Sequence, residues 1–362
     1  MIKKRLVVLH KEDPFYIRKT LNGLIRETDR YQIQAVIDVS GKLNGIDAGT
    51  LLDGEPRGIP IVGSFEQAVQ ETGMLPDHCI HTWCSRPENG QVPQDLKRHL
   101  VDVLRAGVTL VNTSHFHLGG ILELNEEARR GGGAIIDLRR PKPVNELAAW
   151  SEDIFEVKAP RIPVLGTDQA VGKRTTTRWL TKSCNDAGID AQMIYTGQTG
   201  WLQGGKYGFI LDSTPVDFVA GELVKEIVRC NRETSPDVIF VEGQSSISHG
   251  TQPSSINLVR PIGSKGVILQ HVPTRRFNID TPCKRISIDR DIQILQALGA
   301  QVLAVTLNGE TEPRGRVLSE SELIAHQSDL ADQLNLPVIR PLDEGMDRLV
   351  EIVRGHIDSL VQ

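Results

Sequence analysis

The 362-residue chain contains no apolar run approaching the ~18 residues that cross a bilayer, so no membrane span is expected. It also lacks a surplus of positive charge. Its 41 Lys and Arg face 46 Asp and Glu, a net charge of −5, which argues against sequence-independent nucleic-acid binding. Cysteine is scarce, with five residues, odd in number and scattered; this fits reduced thiols in a cytoplasm. Cys79 and Cys84 fall with His78 and His81 in HCIHTWC, but the spacing matches no standard zinc site and no metal is expected. The dinucleotide fingerprint G-x-G-x-x-G is missing after the first apolar run, where the chain reads His10-Lys11-Glu12-Asp13-Pro14. A dinucleotide cofactor is therefore not expected there. The opening MIKKRLVVLHKEDPF has too short an apolar core for a signal peptide and reads as a first strand. Repeats and low-complexity tracts are absent.

What is present is α/β patterning in two halves. A chain of this length is too long for one ordinary core, and its 39% apolar and 24% charged residues are those of a globular protein. In the first half RLVVLH, IQAVIDV, IPIV, CIHTW, VTLVNTS and AIIDL read as strands. HLVDVLRAG reads as a helix between two of them, with Leu100, Val103 and Leu104 on one side and Gly107 as its stop. Strands alternating with helices predict a parallel sheet covered on both faces, here Rossmann-like. Pro141, Pro143, Pro160 and Pro163 punctuate the passage to the second half. The expected domains are residues 1–159 and 160–362.

The second half opens on a phosphate-binding pattern. The apolar run Ile162–Leu165 stops at Gly166, and a short loop leads to Gly172-Lys173 and a hydroxyl-rich helix start. Loop amides, the free N–H groups of a first helical turn and the helix dipole converge on an anion, and Lys173 adds a point charge. The predicted contacts are Gly166, Thr167, Asp168, Gly172, Lys173, Arg174, Thr175 and Thr176. Two departures matter. Five residues separate the glycines instead of four, and Arg174 stands where a magnesium-binding Ser or Thr follows the lysine in nucleotide-cleaving loops, leaving Thr175, one place later, as the nearest hydroxyl for a magnesium ion. Phosphate binding is expected here more firmly than ATP turnover.

In open parallel sheets ligands sit at the carboxyl ends of strands. DVIFV ends in Glu242-Gly243-Gln244-Ser245-Ser246, followed by Ser248-His249-Gly250, making Glu242 and His249 candidate catalytic bases. AQMIYTG runs into the glycine-rich stretch with Gln198 and Thr199, read as a loop that admits substrate against bare backbone. GVILQHV ends near Arg275 and Arg276, which with Arg260 suit bidentate capture of carboxylate or phosphate, or are surface arginines. Asn308 is either a purine reader or a turn residue. In the first half His115 and His117 leave a strand end and are further substrate candidates. Ser319 and Glu322 read as a capping box opening a helix to Leu334.

The order of GTDQAVGKRTT, YTGQTGW, Asp217-Phe218, Gly221-Glu222 and VEGQSS, with SHFHL and IIDLRRP in the first half, resembles the D-glutamate N-acetyltransferase-like family. The similarity spans essentially the whole chain. It implies an N-terminal Rossmann-like domain, a C-terminal P-loop domain, and acetyl transfer from acetyl-CoA to D-glutamate in D-amino-acid catabolism. The loop also resembles that of dethiobiotin synthetase, and an ATP- and magnesium-dependent ligase or kinase is the alternative, with a nucleotide-sensing binding protein as a third. Among partners the reading expects a small-molecule substrate and a second copy of the chain, with neither nucleic acid nor membrane.

Overall fold

The computed structural model of the chain describes residues 2–11, 18–83, 92–309 and 317–361. It divides into two compact units, residues 1–141 with 198–204, and residues 142–197 with 205–362.

The first unit runs β1 (Lys4–His10), α1 (Lys19–Arg26), β2 (Tyr31–Asp38), α2 (Thr50–Asp53), β3 (Ile61–Val62), α3 (Phe65–Thr72), β4 (His78–His81), α4 (Gln94–Arg105), β5 (Thr109–Asn112), α5 (Leu122–Gly131) and β6 (Ile135–Asp137). All its strand pairs are parallel, in the order β3-β2-β1-β4-β5-β6, the arrangement of Rossmann sheets. Successive residues point to opposite faces: Val7, Leu9, Ile37 and Leu110 enter one core, while Leu6, Val8, Val36 and Val111 enter the other. That two-sided burial is why these strands read as continuous apolar runs. On α4, Leu96, Leu100, Val103 and Leu104 are buried at helical spacing. Gly107 then takes a left-handed turn at φ 78°, where a Cβ would also sit 2.7 Å from the Gly131 carbonyl oxygen.

The chain continues with β7 (Arg161–Gly166), α6 (Lys173–Asp186), β8 (Ala191–Tyr195), α7 (Gln198–Leu202), β9 (Tyr207–Gly208), α8 (Val216–Thr234), β10 (Val238–Glu242), β11 (Gly266–His271), α9 (Ile288–Ala297), β12 (Gln301–Leu307), α10 (Glu320–Leu334), β13 (Val338–Ile339), α11 (Pro341–Glu344) and α12 (Asp347–Val361). These strands form a second all-parallel sheet, β13-β12-β11-β7-β10-β8-β9, with the phosphate-loop strand β7 between β11 and β10. The Ser319–Glu322 capping box is formed in both directions, and Asn335 ends α10 in a left-handed conformation.

Two expectations change. The division falls at Pro141 rather than at 159/160, because the segment that follows packs on α8. Buried Glu222 accepts from the Ala148 amide at 2.8 Å and from Lys142 Nζ at 2.5 Å. Beside it, a Cβ on Gly221 would lie 1.9 Å from the Ala148 carbonyl oxygen. The stretch from Gln198 is likewise no open glycine loop. It is the short helix α7, with Thr199, Gly200 and Leu202 buried, and it belongs to the first unit. There Trp201 lies under the Arg30 guanidinium, 4.1 Å from ring centroid to carbon, and Gln203 donates to the carbonyls of Gly23 and Glu27 at 2.8 and 2.9 Å.

Because the α8 contact is backbone against backbone, Gly221→Ala should destabilise the second unit by about 1–3 kcal/mol through overpacking. Urea unfolding followed in that unit measures it, and an unchanged midpoint would show that the segment moves aside without cost.

Candidate active site

Between β7 and α6 the backbone turns left-handed at Ala170 (φ 52°) and Gly172 (φ 108°). Alternating handedness of this kind turns successive N–H groups inward as an anion nest, at the positive end of α6. Lys173 threads the centre of it. A Cβ on Gly166 would meet Lys173 Cδ at 2.9 Å, and one on Gly243 would meet the same carbon at 2.9 Å. Only two bare backbones leave room for the stem. Its Nζ donates to the carbonyls of Asp168 at 2.7 Å and Ser245 at 2.6 Å, tying the phosphate loop to the loop after β10.

From β11, Gln270 and His271 hold the other side. The Gln270 carbonyl accepts from the Thr167 amide at 3.0 Å, and its buried Oε1 accepts from the hydroxyls of Thr176 (2.6 Å) and Thr306 (2.7 Å). Thr176 therefore spends its hydroxyl inside the sheet. His271 Nδ1 lies 2.9 Å from Thr167 Oγ1 and 3.3 Å from an Arg285 nitrogen. Burial first, then Arg285, His326 and Arg275, push its pKa down to about 3, so this imidazole is neutral. Asn308 donates to the Val171 carbonyl at 3.1 Å and braces the loop from the end of β12.

Asp168, fully buried, is the hub. Its carboxylate accepts from Arg275 Nη1 at 3.0 Å and Asn278 Nδ2 at 3.1 Å, and His249 Nε2 stands 3.8 Å away. Arg275 also donates to the Gln169 carbonyl at 2.7 Å. His249 Nδ1 accepts from the amides of Thr251 and Gln252, each at 3.2 Å, which places the ring hydrogen on Nε2, 3.1 Å from Asp280 Oδ1. Those amides engage the Nδ1 lone pair, and Gln169 Nε2 lies 3.2 Å from the ring's Nε2. Glu242 is the second candidate base. It ends β10 with only 5% exposure, beside Gly243 and the Lys173 stem, and one oxygen accepts from the Thr196 amide at 3.2 Å.

Thus Gly166, Thr167, Asp168, Gly172, Lys173, Glu242, His249, Arg275 and Asn308 come together, with Arg174 and Thr175 half-buried in the first turn of α6. Two arginine candidates of the second unit do not join them. Arg260 opens a turn whose Ile262 carbonyl accepts from Arg161 Nε at 3.1 Å, at the start of β7, so it lies at the edge of the sheet opposite the strand ends. Arg276 is exposed, and its carbonyl accepts the Arg285 amide at 3.0 Å. Gln198 and Thr199 belong to the first unit within α7, and His115 and His117 are exposed after β5 of that unit. Cys84 lies outside the described residues; His78 meets Tyr31 Oη at 3.1 Å and His81 meets Asn112 Oδ1 at 2.5 Å. Among the described residues no group of three or more His, Cys, Asp or Glu could hold a metal. Reading the sequence overlooked Gln270, Asn278 and Arg285; only Gln270, a polar residue inside GVILQHV, carried a visible signal.

The Asp168–Arg275 pair is buried on both sides, so Asp168→Ala leaves an uncompensated cation and should cost about 3–5 kcal/mol. Adding Arg275→Met should recover part of that loss. A double-mutant cycle by denaturant unfolding checks the coupling, and strictly additive effects would show that the pair does not act as one.

The chain matches two family descriptions, a Domain of unknown function (DUF1611_N) Rossmann-like domain over residues 41–141 and a Domain of unknown function (DUF1611_C) P-loop domain over 148–350. A protein of Tritonibacter scottomollicae named D-glutamate N-acetyltransferase is 28% identical over 268 residues, 72% of this chain and 77% of that one. A Pseudoalteromonas protein of the same name is 24% identical over 259 residues, 69% of this chain and 73% of that one. The crystal structure of a DUF1611 family protein from Anabaena variabilis superposes with a TM-score of 0.84 at 26% identity, covering 98% of this chain and 100% of that one. With the P-loop description alone spanning more than half of the residues, and both sheets built as the two descriptions require, the chain belongs to the DUF1611 family.

Proposed function

We propose that the protein is an N-acyltransferase that moves an acetyl group from acetyl-CoA to the amine of an acidic amino acid, D-glutamate first. One observation carries the reading: an anion nest that keeps its lysine but follows it with Arg174, while the Thr176 hydroxyl is bound to Gln270. Such a loop suits a phosphate that is held without being cleaved. A nucleoside triphosphatase needs a hydroxyl holding magnesium between β- and γ-phosphates, and a guanidinium beside it repels the metal. Coenzyme A ends in a phosphorylated ADP, which the amides from Gly166 to Thr175 and the Lys173 ammonium would hold. The names of the two relatives support the same chemistry.

In the transfer, the substrate ammonium gives a proton to a base, and Glu242 is the candidate. The free amine attacks the thioester carbon, a C–N bond forms, the C–S bond breaks, and the thiolate leaves and takes up a proton. His249, through its contacts with Asp280 and the Asp168 hub, would keep the loop in register.

Incubation with acetyl-CoA and a panel of D- and L-amino acids, read by thiol release, tests the reading. Transfer should persist in excess EDTA, with ATP at most a weak competitor. Magnesium-dependent ADP release stimulated by a carboxylate or amine would overturn it in favour of a ligase or kinase. Glu242→Gln should lower kcat by about 100-fold while leaving acetyl-CoA affinity nearly intact. Lys173→Ala should weaken coenzyme A binding by about 1.5–3 kcal/mol, the range for a charged hydrogen bond. A Glu242 variant with the wild-type rate and pH profile removes that residue from the mechanism.

A further inference from the structure

The lobe between β11 and α9 holds two charged groups that this chemistry does not use. Asp291, in the first turn of α9, is 1% exposed, and neither carboxylate oxygen has a hydrogen bond of good geometry. The Ser248 hydroxyl approaches it from the loop after β10, and its charged neighbours are Arg285 in the lobe and Asp168 in the phosphate loop. Burial, the largest influence, pushes its pKa up to about 6, against the pull of Ser248 and Arg285. Arg285 is half-buried. Its Nη1 donates to the carbonyls of Arg275 at 2.8 Å and Val272 at 3.3 Å, and Nη2 faces His271, but its buried Nε has no acceptor.

Folded interiors rarely leave such groups unsatisfied, because a buried charge without a partner is costly. Here a carboxylate with only the Ser248 hydroxyl near it and a guanidinium whose Nε has no acceptor lie in one lobe, and they do not bond each other. Thr274 Oγ1 and Arg275 Nε, in the same segment, are also buried without partners. The ligand complementary to both signs at once is a zwitterion.

We propose that Asp291 and Arg285 form a head-group site for an α-amino acid, Asp291 accepting the ammonium and the Nε edge of Arg285 a carboxylate. The proposal rests on the amino-acid part of the acyltransferase reading. It assigns amine recognition to α9 and carboxylate recognition to an arginine other than Arg260 or Arg276. The ammonium must face an ionised Asp291, so affinity for the amino acid should rise as pH climbs through about 6, where Asp291 loses its proton. A dicarboxylate without the amine should show no such gain.

Calorimetric titration of the full chain with D-glutamate and with glutarate, without acetyl-CoA, tests this. Asp291→Asn should weaken D-glutamate binding about tenfold near neutral pH and abolish the rise with pH, while sparing glutarate. Arg285→Lys, which keeps the charge but loses the fork, should weaken both ligands. Thermal unfolding controls for folding: removing a buried unpaired charge should leave Asp291→Asn at least as stable as wild type. If it unfolds instead, the Arg285→Lys titration decides. D-glutamate binding that is undetectable, or unchanged in affinity and pH dependence by Asp291→Asn, overturns the proposal. Binding as expected without acetyl transfer would sink the acyltransferase reading and leave the site standing. Transfer with an unchanged KM in Asp291→Asn would do the reverse.

Discussion

The ammonium of Lys173 and the two carbonyls it holds set the geometry of the second unit's strand ends. One carbonyl belongs to Asp168 in the phosphate loop and the other to Ser245 beyond β10, so a single cation fixes two loops that no β-ladder joins. Gly166 and Gly243 are required by the same side chain, since either Cβ would strike its stem. Asp168 then extends the order outward. Its main chain serves Lys173 while its carboxylate serves Arg275 and Asn278, and Arg275 returns to the Gln169 carbonyl. Chain segments from β7, β10 and β11 are thereby tied through Lys173 and Asp168, which explains how a site made of loops can be rigid.

The charges around that hub carry both signs. Lys173, Arg275 and Arg285 gather at these strand ends around a neutral His271, and the carboxylates of Asp168, Glu242, Asp280 and Asp291 stand among them. Such an arrangement orients a ligand by the placement of individual charges rather than by a net field of one sign.

The sheets were legible because strands buried on both faces must be apolar throughout, and RLVVLH or DVIFV admit no other reading beside helical stretches of polar composition. Of the two-residue strands, β3 is visible inside IPIV, while β9 and β13 leave no such trace. Local pattern also misled where partners are distant. Gln198 to Gly204 has the glycines of a loop, but its conformation is set by Arg30, Gly23 and Glu27, far away in sequence. Residues 142–159 followed Glu222 and Gly221 on α8 rather than the prolines around them. In the site, residues flanking the phosphate loop were found from strand order alone. Choosing between Glu242 and His249 required knowing which imidazole nitrogen faced backbone amides, a fact no spacing encodes. Arg285 and Asp291 sit in a segment without periodicity and gain meaning only from what surrounds them.

The placement of residues 198–204 bears on how such a protein can be taken apart. Although the polypeptide reads as two halves in tandem, the first unit borrows a helix from within the second. A break at Pro141 yields one fragment missing the indole that Arg30 covers and another with Leu202 stripped of the apolar cluster it joins. Neither half is a transferable module. Recombination that shuffled the phosphate-loop half onto another partner would carry away part of the Rossmann-like half with it, so the two are bound to be inherited, and to change, together.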